Sequence, residues 1–132
     1  MARLSDGLHS CRRALATLEE ALAIPFSIIV RDAAIQRFEY SFESLWKALR
    51  VYLAEQEGIV CNSPKSCLRE SLRTGLLSRE ETETCLTMVD DRNLTSHTYI
   101  EELADAIFRR LPSYLSVMFS LLRRIEDRVG ES

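Results

Sequence analysis

The sequence predicts an all-α fold, an antiparallel bundle of five to six helices, on three observations. Apolar residues recur at helical spacing, N-cap and helix-stop residues punctuate those stretches, and no run alternates apolar with polar residues as a half-buried strand would. A chain of 132 residues, 46% of them apolar, has enough material for one core, so residues 1–132 are expected to form a single domain.

The first helix is carried by Leu4, Leu8, Cys11, Leu15, Leu18 and Leu22, which alternate steps of four and three and so form one stripe. Asp6 near its start suits the helix dipole, and Pro25 marks its end. A long second helix is predicted from about Ser27 to Gln56, with Ile28, Ile35, Phe38, Phe42, Leu45, Leu49 and Tyr52 on one side and Gly58 as its stop. Ser63 before Pro64 pairs a good N-cap with the residue best tolerated at the first helical position, which opens a short third helix ended by Gly75.

Ser78 with Glu81 is a capping-box signature for a fourth helix carrying Cys85, Leu86 and Val89 toward Asp91. Thr98 with Glu101 repeats that signature, so a fifth helix is expected to start just after His97. Pro112 should kink or restart it, and it should continue to about Arg128, with Val129 to Ser132 frayed.

With 17 basic and 20 acidic residues the net charge is -3, which excludes a general nucleic-acid coat. Any RNA contact must be local. The longest uncharged run, Leu111 to Leu122, is shorter than the roughly 20 apolar residues needed to span a membrane, and reads as a buried helix. No secretory signal pattern opens the chain, which points to a cytoplasmic compartment. Cys11, Cys61, Cys67 and Cys85 include no Cys-x-x-Cys pair, and only His9 and His97 offer imidazole, so no metal site and no cofactor are expected. Cys61 and Cys67 could approach each other across a helix start, but without secretory features all four cysteines are read as reduced, packed thiols.

The stretch Arg92-Asn93-Leu94-Thr95-Ser96-His97-Thr98-Tyr99 gathers a cation, an imidazole and a phenol in one short segment. Arg presents a permanently charged fork for phosphate, and His moves protons near neutral pH. On a continuous helix a five-residue step would rotate Arg92 and His97 about 140° apart. The signature at Thr98 argues instead for a break at Leu94 to His97 that turns both toward one cleft. Arg92 and His97 are then the catalytic candidates, and Asn93 and Thr95 the candidates to orient the imidazole or hold a phosphate oxygen. The same residues also fit a structural role in which Arg92 pairs with Asp90 or Asp91 and His97 closes a turn.

The motif Arg92-Asn93-x-x-x-His97-x-Tyr99, the aromatic and acidic stretch Phe38 to Lys47, and the segments Ser63-Pro64 through Glu70 and Gly75-Leu76-Leu77 together resemble the HEPN superfamily. Within it the resemblance is to the HepT-like toxins, also described as nucleotidyltransferase substrate-binding proteins. It implies a homodimeric helical bundle in which paired Arg and His motifs meet across a cleft and cut RNA without metal. It also implies a separately encoded minimal nucleotidyltransferase that neutralises the toxin by adding AMP to the motif tyrosine, matched here by Tyr99. The alternative description of the same family is a non-catalytic subunit that presents substrate or nucleotide to the transferase. Phe38, Phe42, Leu45 and Leu49 read as core or dimer surface, and Trp46 as an aromatic directed at a partner chain.

Overall fold

A computed structural model, which describes residues 2–131, is built of α1 (Ala2–Leu22), α2 (Ile28–Gln56), α3 (Pro64–Arg73), α4 (Arg79–Leu94) and α5 (Glu101–Glu131), with a 3-10 turn at Thr95–His97. No strand occurs among the described residues. The α1 stripe is buried as its spacing requires, apart from Leu22, which is only partly covered. In α2 every residue expected on the inner face is buried except Ile28, which stays exposed in the first turn.

Gly7 lies against Ala48 and Thr17 bonds Tyr40, so α1 and α2 run antiparallel. The pairs Arg110 with Asp91 and Arg124 with Glu81 make α4 and α5 antiparallel as well. By contrast Arg31 meets Glu101 and Phe38 stacks on Tyr114, so α2 and α5 run in the same sense. The first turns of α2 and α5 therefore lie side by side, and that alignment positions the segment between α4 and α5.

Side-chain caps are made at α2, α3 and α4, the last two where the sequence placed them. Ser27 accepts from the Val30 amide, and both Ser63 and Ser78 form reciprocal capping boxes, the latter with Glu81. Gly75, at φ +79°, ends α3 with Leu76 N–H on Ser71 C=O and its own N–H on Leu72 C=O, a Schellman arrangement that L residues resist. Glu81 does a second job. Its carboxylate accepts two bonds from Arg124 at 2.7 and 2.8 Å, which hold its pKa down at about 2 against burial. Because the folded-state value is depressed, this stabilisation is complete above the ordinary value of 4.5 and is lost as pH falls toward 2. Glu81→Gln should accordingly flatten the acid limb of a stability–pH curve across that window; an unchanged limb in urea titrations would show that the pair contributes nothing.

Three expectations need correction. The Thr98–Glu101 capping box does not form: Thr98 Oγ1 donates to Thr95 C=O, and the Glu101 carboxylate bonds Arg31, so α5 begins at Glu101 rather than just after His97. A buried guanidinium draws that carboxylate more strongly than an exposed amide, because charge-assisted bonds are the stronger kind. Pro112 does not restart α5, which is helical through it with Leu111, Tyr114, Val117 and Met118 all buried and holding it to the core. Residues 129–131 continue this helix rather than fraying, and Ser132 lies outside the described residues.

The cysteine reading also changes. Cys61 and Cys67 are disulfide-bonded, with Cα atoms 5.3 Å apart. Gly58, at φ +69°, turns the chain back so that Ile59 N–H reaches Leu53 C=O, and the segment after it lays Cys61 over the first turn of α3. Local geometry, which compartment reasoning ignores, sets this pairing. Cys11 and Cys85 are free and buried, and burial pushes both thiols up to about 12, so they pack as small apolar groups as expected. Among the described residues no helix is long and apolar enough to cross a membrane.

Candidate functional site

The break expected between Leu94 and His97 is present. At the end of α4, Thr95 N–H and Thr95 Oγ1 both turn back to Arg92 C=O, the hydroxyl at 2.7 Å, and the chain tightens into the 3-10 turn. Ile100 N–H then bonds His97 C=O, so Thr98, Tyr99 and Ile100 form a further turn before α5. Tyr99 consequently sits ahead of the helix and not in its first turn.

The half-buried Arg92 side chain is held from two directions. Its Nη1 donates to Thr95 Oγ1 at 3.3 Å, and its Nη2 lies 3.6 Å from Glu43 Oε1 on α2. Glu43 is itself oriented by Trp46 Nε1–H, which donates to its other oxygen at 3.3 Å. The Arg92 Nε is buried without a partner among the described residues. A desolvated donor of that kind costs about 1–3 kcal/mol, which the surrounding packing must offset.

The pairing of Arg92 with Asp90 or Asp91 is not what the structure contains. Asp90 binds Lys65 at 2.7 Å, and Asp91 points the other way, into α5. There the 4% exposed Asp91 accepts from Arg110 Nε and Nη2 at 2.6 and 2.9 Å and from Tyr114 Oη at 2.5 Å. Burial, reinforced by the bond to Asp91, raises the Tyr114 phenol well above its ordinary value, so it stays a donor. Adjacent residues thus separate into an anchor and a cation: Asp91 fastens α4 to α5, and Arg92 faces α2.

His97 lies in solvent, edge-on to Tyr99 with ring centroids 6.1 Å apart, and no side-chain hydrogen bond holds the imidazole among the described residues. Tyr99 is 77% exposed. Asn93 is also exposed, whereas Thr95 is buried with its hydroxyl committed to Arg92. The structure therefore brings Arg92 and Thr95 into one bonded unit and leaves Asn93, His97 and Tyr99 open around it. Trp46 is half-buried and packs against the core while serving Glu43.

Sequence reasoning missed two groups that shape this site. Glu43 stands within the aromatic and acidic stretch of the second helix, but only the packing of α2 against α4 shows which cation it meets. Arg31 is buried in the first turns of α2 and bonds Glu101 at 2.7 Å, Asp105 at 2.9 Å and Asp32 at 3.0 Å, which fixes where α5 starts. No local pattern signals it. Among the described residues no group of three His, Cys, Asp or Glu side chains could hold a metal ion.

Comparison with known proteins points one way. A probable ribonuclease HepT from Haemophilus influenzae is 32% identical over 108 residues, which are 76% of this chain and 73% of that protein. A solved structure from Thermus thermophilus is 54% identical with a TM-score of 0.84, covering 87% of this chain and 98% of its own. A Haemophilus influenzae structure, described as revealing the fold of a substrate-binding domain of a nucleotidyltransferase, is 27% identical with a TM-score of 0.77 over 90% of this chain and 98% of its own. Residues 6–127 match the family described as nucleotidyltransferase substrate binding protein like, and the chain belongs to this HepT-like family.

Proposed function

We propose that this protein is a metal-independent endoribonuclease that works as a homodimer and is neutralised by a separately encoded minimal nucleotidyltransferase. The observation that carries the reading is the division of labour in the motif: Arg92 is fixed against α2, while His97, five residues on, stands in solvent on a turn. A fixed cation suits charge developing on phosphorus, and an unencumbered imidazole suits proton transfer. In the reaction a 2′-hydroxyl loses its proton to one imidazole and attacks phosphorus. The bond to the 5′-oxygen breaks as that oxygen gains a proton, leaving a 2′,3′-cyclic phosphate.

One imidazole serves one of these two transfers most easily, and an isologous dimer supplies the second. The exposed Leu94, Tyr99 and Ile100 border His97, and Phe26, Ile28 and Ile29 border the neighbouring first turns of α2, with Phe26 in edge contact with Phe108 of α5. These side chains are the ones proposed to meet the second copy. Light scattering over a dilution series should give a dimer, and a stable monomer at micromolar concentration would remove the shared cleft. Incubation with RNA in chelator, followed by analysis of the product ends, should give cyclic phosphate or its hydrolysed form. A 3′-hydroxyl would overturn the assignment.

Tyr99 is the proposed point of control. A phenol so exposed is open to a transferase active site, and an AMP ester there adds a phosphate two residues from His97, able to compete for Arg92. Co-expression with the transferase should add AMP, about 329 Da per adenylyl group, to wild type and nothing to Tyr99→Phe. Recovery of unmodified protein in a tight inhibited complex would mean control by occlusion alone. The description of the family as substrate-binding favours a second reading, a non-catalytic subunit for the transferase. Failure to cut any RNA alongside tight binding of the transferase would select it.

A further inference from the structure

A second cationic site lies further along α2, where that helix packs against α1. Between α1 and α2 is an open hollow of about 420 Å³ whose described lining includes Arg3, Lys47 and Arg50 and no acidic residue. All three cations are exposed, and Arg3 and Lys47 have no ion-pair partner among the described residues. Arg50 lies over the Trp46 ring, its guanidinium carbon 5.9 Å from the centroid. In a chain of net charge -3, three cations around one hollow without a carboxylate is a local concentration of positive potential.

The floor of the hollow adds an independent observation. Gly7 sits inside α1, where glycine is among the least helix-favouring residues. A Cβ at this position would meet Ala48 Cβ at 3.7 Å, an ordinary van der Waals contact, so the approach of α1 to α2 does not demand glycine. Gly7 lines the hollow, so a longer side chain at this position would take up part of its space.

Position along α2 links the hollow to the motif. Glu43 touches Arg92, and Lys47 and Arg50 follow it about 6 and 10 Å further along the axis, each within about 40° of its direction. Trp46 joins the two regions, since its N–H holds Glu43 and its face carries Arg50. A neighbouring hollow of about 180 Å³ shares Arg3 and Arg50 and brings in Glu55, where the acid-free stretch ends.

We propose that the α1–α2 groove binds the phosphodiester backbone of single-stranded RNA and holds the strand as it passes from Arg92 along α2. Cations flanking a groove, with an aromatic ring beside them, are the features by which proteins track a single strand. The proposal rests on RNA being the substrate. It is tested in a His97→Ala background, so that the probe survives, by fluorescence anisotropy with a labelled oligouridylate across a salt series. Lys47→Ala with Arg50→Ala should weaken binding about tenfold at low salt and reduce the log–log salt slope by roughly 1.4, two single-strand phosphate contacts. Gly7→Gln, which fills the hollow without changing charge, should weaken binding and leave the slope unaltered. Arg69→Ala with Arg79→Ala, outside the groove, should change neither.

Equal losses in the groove pair and the control pair would overturn the proposal in favour of bulk electrostatics. Unchanged RNA binding in the groove variants would overturn it too, including the case where they lose an acidic protein partner instead. The nuclease reading fails separately. A wild type that never cuts RNA but binds it through Lys47 and Arg50 keeps the groove and loses the nuclease, whereas a cutting enzyme indifferent to these substitutions keeps the nuclease and loses the groove.

Discussion

His97→Ala should lower the single-turnover rate of RNA cleavage by about 10²–10⁴-fold, the usual contribution of a general acid or base. Because an isologous dimer carries the substitution in both copies, neither proton transfer would retain an imidazole. The fold should barely notice. His97 is exposed, with only an edge-on contact to Tyr99, so stability should stay within about 0.5 kcal/mol of wild type, as for surface substitutions generally. Arg92→Lys should also be poor, by roughly 10²–10³-fold, because an ammonium cannot hold Thr95 Oγ1 and Glu43 in fork geometry while facing phosphate. Full activity in His97→Ala, measured with enzyme in excess over labelled RNA, would end the assignment of that residue.

Asp91→Ala should cost about 2–4 kcal/mol of folding stability, because it strands the buried Tyr114 hydroxyl and removes the charge-assisted bonds of the partly exposed Arg110. Three bonds converge on this carboxylate, two from Arg110 and one from Tyr114. Tyr114 is only 2% exposed, so its phenol has no access to bulk water as a substitute. The melting temperature should drop by roughly 10–20 °C. Asp91→Asn, which keeps an acceptor for Tyr114 but loses the charge facing Arg110, should lie between. A melt of Asp91→Ala within about 1 kcal/mol of wild type, inside the range of ordinary substitutions, would show that the network does not fasten α4 to α5. The loss should reach the motif as well, because Asp91 precedes Arg92 and fixes the end of the helix that presents it.

The helices were legible because their signals are local. Ser63-Pro64, Ser78 with Glu81, Gly58 and Gly75 act on amides and carbonyls within a few residues of themselves, and the structure uses each where the sequence puts it. The stripe of α1 and the inner face of α2 are equally local, since three- and four-residue steps define one side of a helix whatever lies opposite. The Arg92-to-Tyr99 motif was visible for the same reason, as was the break inside it.

Where the reading failed, a partner distant in sequence outcompeted the local one. Thr98 and Glu101 spell a capping box, but Arg31, seventy positions away from Glu101, takes the carboxylate. Arg92 has two acidic neighbours in sequence, yet it pairs with Glu43 on α2, because the rotation of α4 turns Asp90 to Lys65 and Asp91 to α5. The Cys61–Cys67 bond was missed for another reason: it is local, made where Gly58 turns the loop back over the start of α3, and compartment reasoning overlooked that geometry. The sequence by itself determined which segments are helices and where most of them start and stop. Tertiary structure alone decided which charge meets which, since that depends on how each helix is rotated and where it packs, and those are set by the burial of the whole core rather than by any neighbouring residue.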